Sequence, residues 1–484
     1  MVFTSTTFVF VFLPLALAGF YLFPRRWRVL PLLASSAVFY AWGEPVLVLL
    51  ILATSFVTYM SGRLLVNRSG AARAWVLATG IAVVLAPLLY LKYSVFFLTT
   101  IGLAETASEL RVVLPIGVSF YTFMAVGYLI DIHRRRGAGA PRLVDFSAYL
   151  LMFPHLVAGP IVRWEHIGAQ LRRPRFHAGM FGFGAFLVAT GLVKKAVIAD
   201  SLAPLVDELF ATGAPGSAGG AWLGAVLYSA QIYLDFSAYS DIAIGLAAML
   251  GVHFHENFRY PYQARSAREF WQRWHISLGA WFRDYVYIPL GGSRVRPVLV
   301  WRNLLIVWAL TGLWHGAAWT FVLWGLYFGV LIGLERFVWG RLLERLPRGL
   351  QHLYGLVVAV LGWVMFRSED LTQAIEYYRA MVGVGVSAWD PLAELVLRRG
   401  WVLLIVSAVL AAGVANRLVS KLRAQSMPPA DPHLGSGYNA DAEPPERMTL
   451  ASSVLMTVIV VAALALATVF LVSVSYSPFI YFRF

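Results

Sequence analysis

The chain has 484 residues, 59% of them hydrophobic and only 13% charged, with a mean hydropathy of +0.70. Soluble globular proteins carry about 25% charged residues, so this composition cannot cover a water-soluble body and excludes that class. The net charge of +14 would point to nucleic acid in a soluble protein. Here it falls in loops between apolar segments and toward anionic lipid headgroups, and no soluble segment is left to carry a nucleic-acid module. Cysteine is absent, which excludes a disulfide framework, a thiolate metal site, a cysteine nucleophile and a palmitoyl anchor.

In chain order, Met1 to Pro24 is apolar and then meets Arg25, Arg26 and Arg28. A cleavable signal places its charge before the apolar stretch, so this reversed order predicts a retained first span with its N-terminus outside. Long apolar runs follow at Trp75–Leu91, Ala221–Leu234, Leu304–Leu334, Trp401–Val414 and Met448–Val474. Taken together they predict an all-α polytopic protein of roughly ten to twelve spans, each crossing about 30 Å of hydrocarbon. The basic stretches Arg25–Arg28, Arg63–Arg73, His133–Arg142, Lys194–Lys195 and Arg259–Arg302 are assigned to the cytoplasmic side by the positive-inside rule. The Gly/Ala/Ser segment Gly213–Gly220 is assigned outside. Arg259–Arg302 also holds Phe270, Trp271, Trp274, Trp281 and Phe282, which suits an interfacial or re-entrant helix, broken at Gly291-Gly292-Ser293. Ser426–Arg447, with five prolines, reads as a polar, disordered loop without chemistry. There is no internal repeat, so residues 1–484 read as one integral-membrane domain.

Ionisable groups are expensive in lipid and are functional candidates by default. His315 lies in Leu310-Thr311-Gly312-Leu313-Trp314-His315-Gly316-Ala317-Ala318-Trp319, inside a long apolar run. Helical spacing places Trp308, Thr311, Gly312 and Trp319 on its face, and Gly312 and Gly316 leave room for a substrate beside an imidazole able to take a proton from a hydroxyl. A packing histidine is the competing reading. His275, in Arg268-Glu269-Phe270-Trp271-Gln272-Arg273-Trp274-His275, is the second candidate, with Arg268 or Trp271 at helical spacing to orient it; an interfacial histidine beside Trp and Arg is the alternative. Gln231 to Asp241 interrupts an apolar helix with Asp235, Tyr239 and Asp241. The two carboxylates are six apart and share no face, so they suit separate hydrogen-bond anchors better than an acid/base pair. His253-Phe254-His255-Glu256 lacks the H-E-x-x-H spacing of a helical metal site, so no metal is expected. No G-x-S-x-G elbow, P-loop or G-x-G-x-x-G occurs.

The ordered set Leu114–Phe123, Phe153–Arg163, Gly191–Lys195, Gln231–Gly245, Glu256–Gly292, Leu310–Gly329 and Gly362–Arg367 resembles the membrane-bound O-acyltransferase family in its bacterial branch. The resemblance spans roughly residues 114–381, and His155 departs from it, since Gln is more usual there. It implies an invaginated helical fold with a central tunnel, an invariant histidine at His315 and a second functional position, Asn or His, at His275. It also implies transfer of an acyl group, acetyl in the simplest case, from a cytoplasmic thioester donor to a hydroxyl. The donor would be acetyl-CoA or an acyl carrier thioester, with no cofactor permanently bound. The expected setting is the bacterial inner membrane. The expected partners are membrane lipids, an exported polysaccharide acceptor and a periplasmic acetyltransferase or relay protein.

A thioester is already activated, so such a site needs proximity and a base more than a strong nucleophile. His315 is the expected base and His275 its assistant. Arg268, Arg273, Trp274, Asp235, Tyr239 and Trp319 are the expected substrate or donor contacts, the arginines because both donors are anionic. The alternative class is a polymer or lipid-linked sugar transporter or flippase, which would consume no acyl thioester.

Overall fold

The structure, a computed structural model, describes residues 1–110, 112–134, 141–172, 174–211, 215–427 and 448–473. The polar loop expected at Ser426–Arg447 lies outside the described residues from 428 onward. So do residues 135–140 of the basic His133–Arg142 segment and 213–214 of the Gly213–Gly220 segment.

A chain crossing hydrocarbon must satisfy its backbone polar groups within itself, which leaves helices or closed barrels. Among the described residues the elements are helices throughout, and the one isolated bridge joins Ser217 and Ser387. Among the described residues, seven helices are long and apolar enough to cross a membrane: Val48–Val66, Gly70–Thr100, Ala178–Phe210, Pro297–His315, Trp319–Arg345, Arg348–Arg367 and Leu450–Ser473. The bent pair Pro391–Ala411 and Asn416–Ala424, at 47°, makes an eighth if it is one span, and Phe8–Leu22, Val29–Ala41 and Val118–His133 are shorter apolar helices.

The chain divides into two compact units. The first comprises Met1–Leu192, Tyr239–Glu256 and Ser420–Tyr476. In it Val48–Val66, Gly70–Leu88 and Val118–His133 pack on one another, at distances that small residues permit. A Cβ at Gly62 would meet the Tyr128 ring at 2.7 Å, and one at Gly184 would meet the Gly245 carbonyl oxygen at 2.5 Å. Arg73, counted with the loop charges from sequence, is buried, and its guanidinium donates to the carbonyls of Ile132 and His133 at 2.7 and 3.0 Å. It thus satisfies carbonyls that the helix end leaves open.

The described residues of the second unit lie in Val193–Ala238 and Asn257–Val419. The helix Ala218–Met249 contributes its residues up to Ala238 here and the rest to the first unit. It already includes Ala218 to Gly220, the end of the segment read from sequence as a loop. Lys194 and Lys195 form no loop either. They lie in the π-helical turn Val193–Ala199, inside the long apolar helix 178–210. Lys195 is buried, with its ammonium 2.6 Å from Asp200 and 3.1 Å from Asp235. A cation in that position needs such partners, and charge counting alone could not foresee them.

The arginine-rich stretch folds into two short helices, α1 (Ala267–Arg273) and α2 (Ile276–Phe282), and Gly291 and Gly292 break the chain at φ 101° and 56°. The apolar run Leu304–Leu334 is two helices, α3 (Pro297–His315) and α4 (Trp319–Leu334), followed by α5 (Arg348–Arg367). A Cβ at Gly312 would meet the Phe321 carbonyl oxygen at 2.1 Å, and one at Gly325 the Trp308 carbonyl oxygen at 2.1 Å. Glycine at both positions lets the α3 and α4 backbones touch.

Candidate active site

His315 is the last residue of α3 and is 3% exposed. The chain leaves the helix there because Gly316 adopts φ −160°, ψ 149°. His275 sits between α1 and α2, is fully buried, and has φ 45°. A non-glycine residue in this left-handed region costs of order 1 kcal/mol or more and persists only where its surroundings over-determine it. They do so here. The Ile276 N–H donates to the Asn257 carbonyl at 2.9 Å. The Ser277 N–H and hydroxyl both donate to Asn257 Oδ1, at 3.1 and 2.9 Å. His275 Nδ1 accepts the Leu278 N–H at 3.4 Å, which fixes the tautomer with the proton on Nε2.

The two imidazoles meet with ring centroids 6.4 Å apart and planes at 79°. Aromatic rings enclose them. Trp314, Trp324 and Phe366 lie 4.9, 4.9 and 5.4 Å from His315, all edge-on. Phe236 and Trp314 lie 4.7 and 5.8 Å from His275. His275 lies between the spanning helices, and burial pushes its imidazole down to about 3, so the ring is neutral at ordinary pH. Its Nε2 is buried without a hydrogen-bond partner among the described residues. A neutral imidazole of this kind offers a donor, and a second beside it offers a proton acceptor.

A family model described as MBOAT, membrane-bound O-acyltransferase family, matches residues 131–366, which include both histidines. A protein of Azotobacter vinelandii named "Probable alginate O-acetylase AlgI" is 39% identical over all of both chains. The chain belongs to the membrane-bound O-acyltransferase family. A peptidoglycan O-acetyltransferase of Helicobacter pylori is 32% identical over 80% of this chain and 81% of its own. A teichoic acid D-alanyltransferase of Bacillus subtilis is 25% identical over 48% and 62%. The protein is therefore a multi-pass membrane O-acyltransferase, and the transporter reading is set aside.

The O-acyltransferase structure brings together only some of the residues singled out from sequence. Gly312 and Gly316 open no path beside His315. The Phe321 backbone and ring fill both places, the ring at 2.1 Å from a Cβ built on Gly316, so these glycines serve packing. Trp319 does not share the His315 face, since the helix ends first; it begins α4 and is 49% exposed. α1 ends at Arg273, so helical spacing relates neither Arg268 nor Trp271 to His275. Trp271 packs instead on Trp308, Trp324 and Phe328. Trp274 is fully buried among Phe258, Phe270 and Trp363. Arg273 is held by Glu269 at 2.8 Å and by the Arg259 carbonyl at 3.2 Å. Asp235 is bound to Lys195. Tyr239 belongs to the first unit and stacks on Phe3 at 4.8 Å. In that unit also, His255 is hydrogen-bonded to His166 at 3.0 Å, His253 to Gln170, and His155 packs on Phe254.

Sequence reasoning missed Asn257, Trp324, Phe366 and Glu335. The first three lie inside the stretches that carry the family resemblance, but nothing in their residue type singles them out, because an asparagine and two aromatics become significant only once the chain folds back on His275 and His315. Glu335 carried one: it is the lone carboxylate closing an apolar run.

Proposed function

We propose that this O-acyltransferase takes an acyl group, acetyl in the simplest case, from a cytoplasmic thioester and delivers it to a hydroxyl beyond the inner membrane. The acceptor is an exported polysaccharide, or a periplasmic relay protein that completes the transfer, and the donor is coenzyme A or an acyl carrier. The observation that carries this reading is the buried histidine pair at 6.4 Å. In the proposed step His315 accepts the proton of the acceptor hydroxyl as its oxygen attacks the thioester carbonyl. The neutral His275 Nε2–H donates to the carbonyl oxygen while it carries negative charge. The thiolate then leaves and regains the proton. The enclosing tryptophans and phenylalanines exclude water, which would otherwise compete as acceptor.

The names of the relatives support a cell-envelope polymer as acceptor, alginate and peptidoglycan among them. A central tunnel joining the two membrane faces belongs to the same proposal, as does recruitment of the anionic donor by the basic Arg259–Arg302 stretch. The test is the O-acyl content of the cell's exported polymers with and without this protein, together with acetyl-CoA consumption by purified membranes. Equal O-acyl content in the two strains would overturn the assignment.

A further inference from the structure

In the second unit a cavity of about 530 Å³ opens between α1, α3, α4 and the turn that follows α4. It is separate from the histidine pair. Leu304 on its wall precedes His315 by eleven residues of α3, about 16 Å along a helix.

The charges around it divide into two sets. Two carboxylates are already engaged by the protein. Glu335 accepts the Ala267 and Arg268 N–H groups at 2.6 and 3.0 Å and the Tyr354 hydroxyl at 3.1 Å. Glu269 accepts the Arg265 N–H at 2.9 Å and the Arg273 guanidinium at 2.8 Å. Arg268 and Arg336 line the same cavity and make no ion pair among the described residues: Arg268 acts on the Glu335 carboxylate only through space, and the Arg336 guanidinium lies 5.2 Å over the Phe337 ring. Glu344 is the one other carboxylate in the lining. Ser266, Tyr287 and Ser293 add hydroxyls, while Ile332 and Leu343 with Leu304 form an apolar side.

We infer that this cavity is a binding site for a phosphate ester, gripped by Arg268 and Arg336, and that its occupant is the headgroup of an anionic phospholipid. Guanidiniums match phosphate oxygens in a planar, two-pronged geometry. Basic pockets between spanning helices are where anionic headgroups bind. The apolar side lies on two spanning helices, α3 and α4, where acyl chains would lie. A lipid seated here touches α1, the helix that leads directly into His275.

The purified full-length protein in detergent is titrated with phosphatidylglycerol, with phosphatidylcholine and, separately, with coenzyme A, reading thermal stability and retained ligand by native mass spectrometry. The expected result is retention of phosphatidylglycerol over phosphatidylcholine, whose choline cation offsets the same phosphate and opposes the two guanidiniums; equal retention of the two lipids by the wild type would overturn the anionic-lipid assignment. Retention of phosphatidylglycerol should weaken about a hundredfold in Arg268→Gln/Arg336→Gln, about tenfold for each lost charge-assisted contact. Arg336→Lys, which keeps the charge without the fork, should fall between and controls for folding. Coenzyme A retained in place of phosphatidylglycerol, and lost in the same variants, would reject the lipid and assign the cavity to the donor. Equal retention of every ligand by wild type and variants would overturn the site. Acyl transfer by the same preparations is scored separately, so failure of this inference leaves the acyl-transfer reading standing.

Discussion

The carboxylate of Glu335 and the backbone N–H of Ala267 meet at 2.6 Å across 68 residues of sequence. With the Arg268 N–H and the Tyr354 hydroxyl on the same side chain, this contact ties α1 to the end of α4 and to α5. α4 contributes Trp324 beside His315, and α1 leads into His275. Glu335 therefore holds in register the two segments that bring the histidines together. Replacing it by Ala strands two backbone N–H groups and should lower stability by about 2–4 kcal/mol, against about 1 kcal/mol for Tyr354→Phe, which removes one bond. Thermal unfolding of the purified variants checks the order; a Glu335→Ala protein as stable as Tyr354→Phe would remove the latch.

His315→Ala should all but abolish polymer O-acylation, by about 10²–10⁴-fold, the range expected for a lost general base. Membrane insertion should be unchanged. His275→Asn should be milder than His275→Ala, because an amide N–H can still donate. His275 is neutral down to about pH 3. The substitution should therefore lower the rate without moving the pH profile across roughly pH 5 to 8, where an unperturbed histidine would titrate. The assay is O-acyl content at matched protein levels, and a His315→Ala protein acylating near the parental rate would refute the assignment.

Gly312→Ala places a methyl group against the Phe321 carbonyl oxygen, at 2.1 Å. The obstruction is backbone, so α3 and α4 must separate, at about 1–3 kcal/mol or more, and His315 moves with α3. Gly349→Ala, with nothing within 4 Å of the new Cβ, is the matched control and should be neutral or slightly stabilising. Comparable unfolding temperatures for the two variants would show that the close approach is dispensable.

Lys195→Met leaves Asp235, 2% exposed in its side chain, without its buried cation. Breaking such a pair from one side costs about 3–5 kcal/mol. Adding Asp235→Asn should recover much of that loss, which a thermal-stability double-mutant cycle measures. Additive losses would exclude a direct coupling.

The absence of native cysteine makes single-cysteine labelling clean. A cysteine at Arg294, exposed just after the Gly291-Gly292 break, should resist an impermeant thiol reagent applied to intact cells and react once the membrane is opened. Labelling in intact cells would reverse the assigned orientation of the basic stretch.

Composition alone settled that this chain lives in a membrane, because 13% charged residues cannot hydrate a body of this size; the backbone must then be helical or a closed barrel, and long apolar runs choose the helix. Local order in the sequence also singled out His315, a titratable ring inside an apolar run and costly there, and His275, set among tryptophans and arginines. Other properties depend on groups far apart in sequence, and these only the fold decided. Spacing along the Leu304–Leu334 run suggested one helix with glycines clearing a path for substrate. Folding breaks the run at Gly316 and presses Phe321 into both glycine positions. Lys194–Lys195 had the look of a basic loop, because a charge count cannot see Asp235 arriving forty residues later to neutralise Lys195. Arg268 and Arg273 were indistinguishable as charges. In the fold Glu269 claims Arg273, while Arg268 is left facing a cavity. A side chain's type can be read from its neighbours in sequence, but its partners are set by the free energy of burying it, and that is fixed only when distant segments close around it.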